Sequence, residues 1–292
     1  MICRQCPRTC GAQRTWERGL GLCRMPEAPV VARAALHFWE EPPISGTQGS
    51  GTIFFSGCSL GCVFCQNETI SHHDFGKAIT LERLEEICDS LVAQGAHNIN
   101  FVNPTHYAHI ISALLARHPL PVPVVWNTGG YDSVDTLRTL EGKVDIYLPD
   151  LKYLDSACAA RYSAAADYPQ RATEAILEMV RQTGPYALNE DGLLLHGVII
   201  RHLILPGQVS QAKAVMDWVA DTFPPKTVLF SLMSQYTPWG DLSACPEVNR
   251  RLRPGEIRSA QEYMENLGLE GFTQERTSAK EEYTPPFDLT GV

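Results

Sequence analysis

The chain has 292 residues, of which 44% are hydrophobic, and it carries a formal net charge of −9 at pH 7. This length and apolar content suffice for a full hydrophobic core, as one large domain or as one domain with an extension. The acidic balance and the lack of a basic block argue against a nucleic-acid partner. The apolar runs are of strand length, which argues against a membrane span, and the first residues do not resemble a secretory leader. We therefore expect a cytoplasmic protein.

The first 25 residues are rich in cysteine and have too few apolar residues for a core of their own. Cys3, Cys6, Cys10 and Cys23 have the spacing C-x2-C-x3-C-x12-C. In a chain expected to be cytoplasmic, such cysteines indicate metal binding or catalysis rather than disulfides. Four thiolates could hold this segment around a zinc ion or an auxiliary [4Fe–4S] cluster. The pattern favours zinc slightly, and it leaves both occupants open.

A strand is predicted over residues 30–39, and the sequence EEPPISGTQGSG follows it. The prolines and glycines of this stretch predict a loop before the next strand. Glu40 and Glu41 at its start are expected to be solvated loop charges, because surface carboxylates are usually exposed.

The next stretch, Thr52 to Asn67, reads TIFFSGCSLGCVFCQN and joins a β-prone run to three cysteines. Cys58, Cys62 and Cys65 have the spacing C-x3-C-x2-C, and thiolates this close are soft ligands for an iron–sulfur cluster, copper(I) or zinc. Structural zinc usually has four ligands, so we favour an iron–sulfur cluster. A [4Fe–4S] cluster with three protein thiolates leaves one iron free to bind a small chelating molecule.

Strands and helices alternate from Thr52 onward. A helix begins after Thr80, with apolar positions on one face, and ends at Gly95. The later strands are predicted over 98–102, 122–127, 144–148, 197–205 and 227–233, and the later helices over 106–117, from 133, within 155–183, and over 209–222 and 256–267, before an irregular C-terminal tail. Six strands separated by helices predict an α/β fold with a parallel sheet, either open or closed into a barrel. Three further cysteines are predicted to be small buried residues: Cys88, Cys158 and Cys245.

The C-x3-C-x2-C motif, with Phe64 directly before its last cysteine, resembles the radical S-adenosylmethionine (SAM) superfamily. Gly57 before the motif and Gln66-Asn67 after it are similar to the glycyl-radical activating branch, which includes pyruvate formate-lyase activating enzyme. The resemblance implies a partial (β/α)6 barrel. We accordingly divide the chain into a Cys-rich metal-binding extension (1–25), a barrel with its preceding strand and loop (26–250), and a C-terminal helix and tail (251–292). The resemblance also implies that the three cysteines hold a [4Fe–4S] cluster, that its open iron binds SAM, and that Phe64 packs near the adenine.

Charged residues lie after one predicted strand and within another, and chemistry in parallel α/β folds collects at the carboxyl ends of strands. Asp150-Leu151-Lys152 is similar to the family's Asp-x-Lys near SAM, and Arg201 begins RHLILPG, which is similar to an activase segment whose arginine contacts SAM. The SAM carboxylate would suit Lys152 or Arg201. The structural alternatives are an ion pair between Asp150 and Lys152, and a core carboxylate as the partner of Arg201.

Amide residues follow three other strands, and there the sequence departs from the activating enzymes. Their Gly-Gly-Glu motif, which binds the SAM amino group, is absent, so the side-chain oxygen of Asn103 or Thr105 could accept those hydrogen bonds instead. Asn127 stands where the family has an aspartate that helps to hold a monovalent cation. Gln235 is the counterpart of a polar segment that contains a histidine in the family.

The resemblance implies an enzyme that reductively cleaves SAM to methionine and a 5'-deoxyadenosyl radical, which abstracts a hydrogen atom. It implies a low-potential electron donor, flavodoxin or ferredoxin, and a glycyl-radical enzyme as the substrate. A different small-molecule or peptide substrate is the alternative within this class. From another class, a non-catalytic iron–sulfur or zinc scaffold would need the cysteines but no SAM site. A zinc hydrolase is disfavoured because the H-E-x-x-H motif is absent.

Overall fold

The structure, a computed structural model that describes residues 2–273 and 285–292, alternates strands and helices along most of the chain. The strands are β1 (Val30–His37), β2 (Ser50–Phe55), β3 (Lys77–Ala78), β4 (Ile99–Val102), β5 (Val124–Thr128), β6 (Ile146–Pro149), β7 (Ala187–Leu188), β8 (Leu194–Leu203), β9 (Leu229–Met233) and β10 (Gly271–Thr273). The helices are α1 (Pro42–Ser45), α2 (Glu68–Ser71), α3 (Leu81–Ala93), α4 (Ala108–Arg117), α5 (Val134–Arg138), α6 (Ser156–Ser163), α7 (Tyr168–Thr183), α8 (Val209–Thr222) and α9 (Pro254–Leu267), with 3-10 turns at Thr105–Tyr107 and Pro246–Val248.

One mostly parallel sheet organises these elements, in the order β10-β9-β8-β6-β5-β4-β2-β1-β3. The strands from β2 to β10 along this order pair in parallel, whereas β1 pairs antiparallel with both β2 and β3. The six predicted parallel strands correspond to β2, β4, β5, β6, β8 and β9. The α/β prediction is therefore confirmed, with β3 and β10 as the edges of an incompletely closed sheet.

Burial explains why the central strands read as continuous apolar runs rather than as alternating ones. Every residue of β2, β4, β5 and β6 is buried, because helices cover one face of the sheet and side chains fill the other. Helix α3 shows the complementary pattern, since Thr80 accepts a hydrogen bond from the Arg83 N–H at its start and four residues on one face are buried. In the described residues, no helix is long and apolar enough to cross a membrane.

The C-terminal end is more ordered than the sequence predicted. Residues 271–273 form β10, which extends the parallel sheet beside β9, so the prediction of a wholly irregular tail is wrong. Residues 285–292 lie along β1, where the Ala34 N–H donates to the Thr290 carbonyl and Asp288 pairs with Arg33. The rest of the predicted tail, 274–284, lies outside the described residues. Three-residue strands on a sheet edge carry little periodic signal, which is why β10 could not be predicted.

Gly130, just after β5, approaches the Asp150 carbonyl closely. The effect of an added side chain on stability tests this approach, with Gly142 as the control. Gly130 and Gly142 have φ values of +80° and +72°, but an added Cβ would lie 2.0 Å from the Asp150 carbonyl oxygen only at Gly130, with nothing within 4 Å at Gly142. Gly142→Ala should cost about 1 kcal/mol of unfolding free energy, and Gly130→Ala about 3 kcal/mol or more. Urea denaturation measures both, and equal losses would contradict the close approach.

Candidate active site

A cleft opens where β2, β4, β5, β6 and β8 end. A second compartment adjoins it and shares Cys62, Cys65, Asp150 and Lys152 with it. The polar residues that line the main cleft include most of the predicted site residues: Cys58, Cys62, Cys65, Asn103, Asn127, Asp150, Lys152 and Arg201.

The three thiols of the C-x3-C-x2-C motif lie in the loop between β2 and α2 and face this cleft. Each sulfur contacts a polar group: the Leu60 N–H lies 3.4 Å from the Cys58 Sγ, and serine hydroxyls of α6 and α2 lie 2.9 Å from Cys62 and 3.2 Å from Cys65. Burial and the neighbouring thiolate charges raise the pKa of Cys58 to about 12 and that of Cys65 to about 11. Thiolates at Cys58 and Cys65 would therefore need a strong positive centre beside them.

The donor set fits a [4Fe–4S] cluster. Its ligands are soft thiolates on one loop beside a cleft with room for further groups. In the described residues, no three Cys, His, Asp or Glu side chains have the spacing of a single bound ion. A cubane cluster does not require that spacing, because each thiolate binds a different iron. The arrangement therefore suits a cluster better than a mononuclear site.

Asp150 joins the two predicted cationic residues in one ion-pair network. Its carboxylate lies 2.5 Å from Lys152 Nζ and 2.9 Å from Arg201 Nε. Burial raises the pKa of Asp150, but the two cations more than offset that effect and hold it below its ordinary value. Both structural alternatives, the Asp150–Lys152 pair and a carboxylate partner for Arg201, are thus present, and all three side chains also line the cleft.

The base of the cleft contains a carboxylate that the sequence analysis placed in solvent. Glu40 Oε1 accepts hydrogen bonds from Asn100 and Asn127, and Oε2 lies 3.4 Å from Arg201 Nη1. Only 10% of the Glu40 side chain is exposed, and 2% of Glu41. The prediction of two solvated loop charges is therefore wrong.

The signal that could have identified Glu40 lies in the neighbouring strands. Asn100 is buried within β4 and Asn127 within β5, and buried amides require polar partners. The position of β1 brings a polar partner to these amides. Its last residue, His37, pairs with Ser50 at the start of β2. The next residues therefore enter at the amino ends of the parallel strands, below the cleft. Sequence reasoning examined only the carboxyl ends.

Of the other residues predicted to bind the cofactor, Asn103 lines the cleft and Phe64 lines the second compartment, whereas Gln235 lines neither. Asn103 has a φ of +55° and lines the cleft. Its amide nitrogen donates to the Gly57 carbonyl, which belongs to the cluster loop, residues 56–67. Thr105 is instead buried and donates to Asp132. Phe64 lines the second compartment, with its ring edge-on to Tyr236. Gln235 does not line either compartment, although its neighbour Tyr236 does.

The other cysteines fall into two groups. Cys3, Cys6 and Cys23 are buried and Cys10 is exposed, within an N-terminal segment that contacts the cluster loop. Cys88 and Cys245 are buried, as predicted. Cys158 is only partly buried, because it lies in the first turn of α6, where its N–H bonds to Asp155.

Comparison with known proteins identifies the family. The profile described as the Radical SAM superfamily matches residues 52–219, which include the three cysteines and most of the sheet. The chain belongs to the radical SAM superfamily. This membership implies a [4Fe–4S] cluster and SAM as its cofactors, and it agrees with the donor set in the cleft.

Two relatives and one solved structure extend the comparison. The chain is 31% identical over 277 residues to an uncharacterised protein of Methanocaldococcus jannaschii, covering 92% of this chain and 75% of the relative. It is 26% identical over 140 residues to a Haemophilus influenzae protein named "Putative glycyl-radical enzyme activating enzyme", covering 44% of this chain and 53% of the relative. Its fold resembles Streptococcus suis SuiB bound to SAM, with a TM-score of 0.51 at 15% identity over 79% of this chain and 51% of that one.

Glu41 provides a pH test of the buried base of the cleft. Burial raises its pKa above the ordinary 4.5, with the charge of Arg201 acting against this effect. Its contribution to stability is therefore present below the unfolded pKa and is lost as pH rises through the folded pKa. Because glutamine does not titrate, the unfolding free energy of Glu41→Gln should fall less than that of the wild type between about pH 5 and pH 8.

Urea denaturation across this pH range measures the difference. The matched control is Glu265→Gln, which changes an exposed carboxylate on α9 and should reproduce the wild-type profile. If Glu41→Gln also followed the wild-type profile, Glu41 would not hold its proton above the unfolded pKa.

Proposed function

We propose that this enzyme holds a [4Fe–4S] cluster at Cys58, Cys62 and Cys65, binds SAM beside it, and cleaves SAM reductively. The observation that supports this proposal most strongly is that the three thiols open into the same cleft as Lys152 and Arg201. A scaffold protein would have no need for charged residues at the ends of β6 and β8. Membership of the radical SAM superfamily supports the same chemistry.

We assign each part of SAM to different residues of the cleft. Lys152 and Arg201 supply positive charge for a carboxylate, and Asp150 keeps both cations fixed through its ion pairs. The Asn103 oxygen is an acceptor for the ammonium group, since an amide carries both a donor and an acceptor. Phe64, in the second compartment, offers an apolar ring to the adenine. When bound and reduced, the cluster supplies the electron that cleaves SAM, which yields the 5'-deoxyadenosyl radical for hydrogen abstraction.

We further propose a glycine Cα–H of a partner glycyl-radical enzyme as the substrate, and flavodoxin or ferredoxin as the electron donor. The likeness to the Haemophilus influenzae protein supports this choice, as do Gly57 and Gln66-Asn67 around the cysteine motif. A different peptide or small-molecule substrate is the second candidate. The four-cysteine N-terminal segment and the absence of Gly-Gly-Glu favour it.

SAM cleavage is the first test. The chain is reconstituted anaerobically with iron and sulfide, reduced with dithionite and supplied with SAM, and 5'-deoxyadenosine is quantified. Cys58→Ala/Cys62→Ala/Cys65→Ala should form at least about 100-fold less product than the wild type, because it lacks the ligands of the electron source. Cys158→Ala, which changes a cysteine outside the cleft, is the matched control and should retain wild-type turnover. A fully loaded wild-type cluster that does not bind SAM would contradict the proposal.

The substrate proposal has a separate test. Candidate glycyl-radical enzymes are mixed anaerobically with this protein, SAM and reductant, and electron paramagnetic resonance spectra are recorded. A glycyl-type doublet in one candidate, absent when the triple cysteine variant replaces the wild type, is the expected result. If SAM is cleaved but no candidate shows a doublet, the activating role is contradicted and the second candidate function is favoured.

A further inference from the structure

The N-terminal segment, residues 2–25, brings four cysteines together through turns rather than through helices or long strands. The Thr9 N–H bonds to the Cys6 carbonyl, and the Arg24 N–H bonds to the Gly21 carbonyl, so each turn contains one of the buried cysteines. Cys10 lies against the second turn, since a Cβ added to Gly21 would be 3.1 Å from its sulfur. The same Cβ would be 3.2 Å from the Ala12 Cβ, and the Ala12 carbonyl accepts a hydrogen bond from the Cys3 N–H. The chain around Cys3 and Cys10 therefore lies against the turn that contains Cys23.

A nitrogen donor points at one of these sulfurs. A guanidinium nitrogen of Arg14 lies 3.7 Å from the Cys3 sulfur. Hydrogen bonds from N–H groups stabilise a thiolate relative to a thiol, and a thiolate is the form that binds metals. A cysteine that served only as a small apolar residue would gain little from such a donor.

The same segment has little regular secondary structure and few apolar contacts of its own. Its pairing among the described residues consists of the isolated bridges Ile2–Gln13 and Arg14–Gly19. Its large apolar side chains are mostly outside the core, with Ile2, Trp16, Leu20 and Leu22 at least half exposed. A short segment without a core usually requires a metal or disulfides to be stable, and all its cysteines are free.

The segment nevertheless contacts the cluster loop at successive residues. The Arg8 guanidinium donates to the Ser59 carbonyl at 2.9 Å, and Ser59 lies between the first two cysteines of the cluster motif. A Cβ added to Gly57, the residue before Cys58, would be 2.9 Å from the Cys23 carbonyl oxygen. The position of the cluster loop thus depends directly on the two turns that contain Cys6 and Cys23.

A third contact reaches the loop through the end of β4. Arg14 donates to the His106 carbonyl at 2.6 Å, and the His106 ring nitrogen lies 2.7 Å from the Ser56 carbonyl. Arg14 is 2% exposed and lies over the Tyr107 ring. The residue that contacts the Cys3 sulfur therefore also supports the start of the cluster loop.

We propose that Cys3, Cys6, Cys10 and Cys23 form a second metal site with four thiolate ligands, and that the bound metal fixes the N-terminal segment against residues 56–59 of the cluster loop. Four thiolate ligands suit either a zinc ion or a [4Fe–4S] cluster. In the residues that the structure describes, the four sulfurs do not have the spacing of a single bound ion. A zinc ion would therefore have to draw the two turns together, whereas a cubane cluster tolerates a wider spacing because each thiolate binds a different iron. The existence of this site is independent of SAM cleavage, whereas its effect on the loop rests on the proposed cluster at Cys58, Cys62 and Cys65.

Metal content tests the site. The full chain is expressed with iron and zinc supplied, purified anaerobically without chelators, and assayed for zinc, iron and acid-labile sulfide. Cys58→Ala/Cys62→Ala/Cys65→Ala should retain about one zinc ion or about four irons with sulfide per chain. Cys6→Ala/Cys23→Ala should lose that amount, and the Cys158→Ala control should match the wild type. A triple variant with less than about a tenth of a metal equivalent would overturn the proposal.

A labelling experiment avoids the risk that the Cys6→Ala/Cys23→Ala variant does not fold. The folded triple variant is alkylated with and without a zinc and iron chelator, and modified cysteines are identified by mass spectrometry. We expect the chelator to increase labelling of Cys3, Cys6, Cys10 and Cys23 together by at least about tenfold. Cys88 and Cys245, which are buried outside the segment, should not respond. If the chelator did not change the labelling of the four cysteines, the proposed metal site would also be contradicted.

Iron release tests the effect on the loop. The rate at which a chelator removes iron from the Cys58/Cys62/Cys65 cluster is measured in Cys6→Ala/Cys23→Ala and in Cys158→Ala, with the iron of any second cluster counted separately. We expect release at least about threefold faster in the first variant, because its cluster loop loses fixed contacts. Equal rates would overturn the positioning role and leave the second metal site standing.

Discussion

Arg201 carries the interaction on which the cleft depends. It extends from β8 between Asp150 at the end of β6, Asn127 on β5 and Glu40 below, with contacts of 2.9, 2.7 and 3.4 Å, respectively. A buried guanidinium must be neutralised and fully hydrogen-bonded, and leaving it unpaired would cost about 3–5 kcal/mol. Its rigid fork of donors therefore fixes the relative positions of these strand ends. The sheet cannot flatten without breaking these contacts.

This constraint also explains the curvature of the sheet. Three strand spacings separate β4 from β8, about 14 Å in a flat sheet, yet Glu40 contacts Asn100 on β4 and Arg201 on β8. The inward side chains must therefore converge on a common axis. A polar interior of this kind contributes less to stability than an apolar one, but it holds charged groups at defined positions beneath a cleft that is otherwise lined partly by apolar residues such as Leu60 and Val102.

The sequence allowed the order of strands and helices to be predicted because each has a strong local pattern. The helix after Thr80 was found from periodicity and capping, and the cysteine motif identified the cleft that now contains Asp150, Lys152 and Arg201. Glu40 and β10 were missed for a different reason. Their roles depend on partners about 60 and 40 residues away, respectively, and such long-range pairing leaves no local periodic signal. Gln235 was placed by analogy with a motif and lies outside the cleft lining.

The cluster loop differs from the strands that surround it, because residues 56–67 form neither a strand nor a helix. Its backbone is held by neighbours: the Gly57 N–H bonds to Ile70, and the Gly61 and Val63 N–H groups bond to the end of α6. The N-terminal segment supports the opposite end through Ser59 and Gly57. A loop with so few bonds of its own has the geometry that its neighbours impose. The spacing of the three thiols is therefore a property of the whole fold, and any change that loosens α6 or the N-terminal segment should act on the cluster before it acts on the sheet.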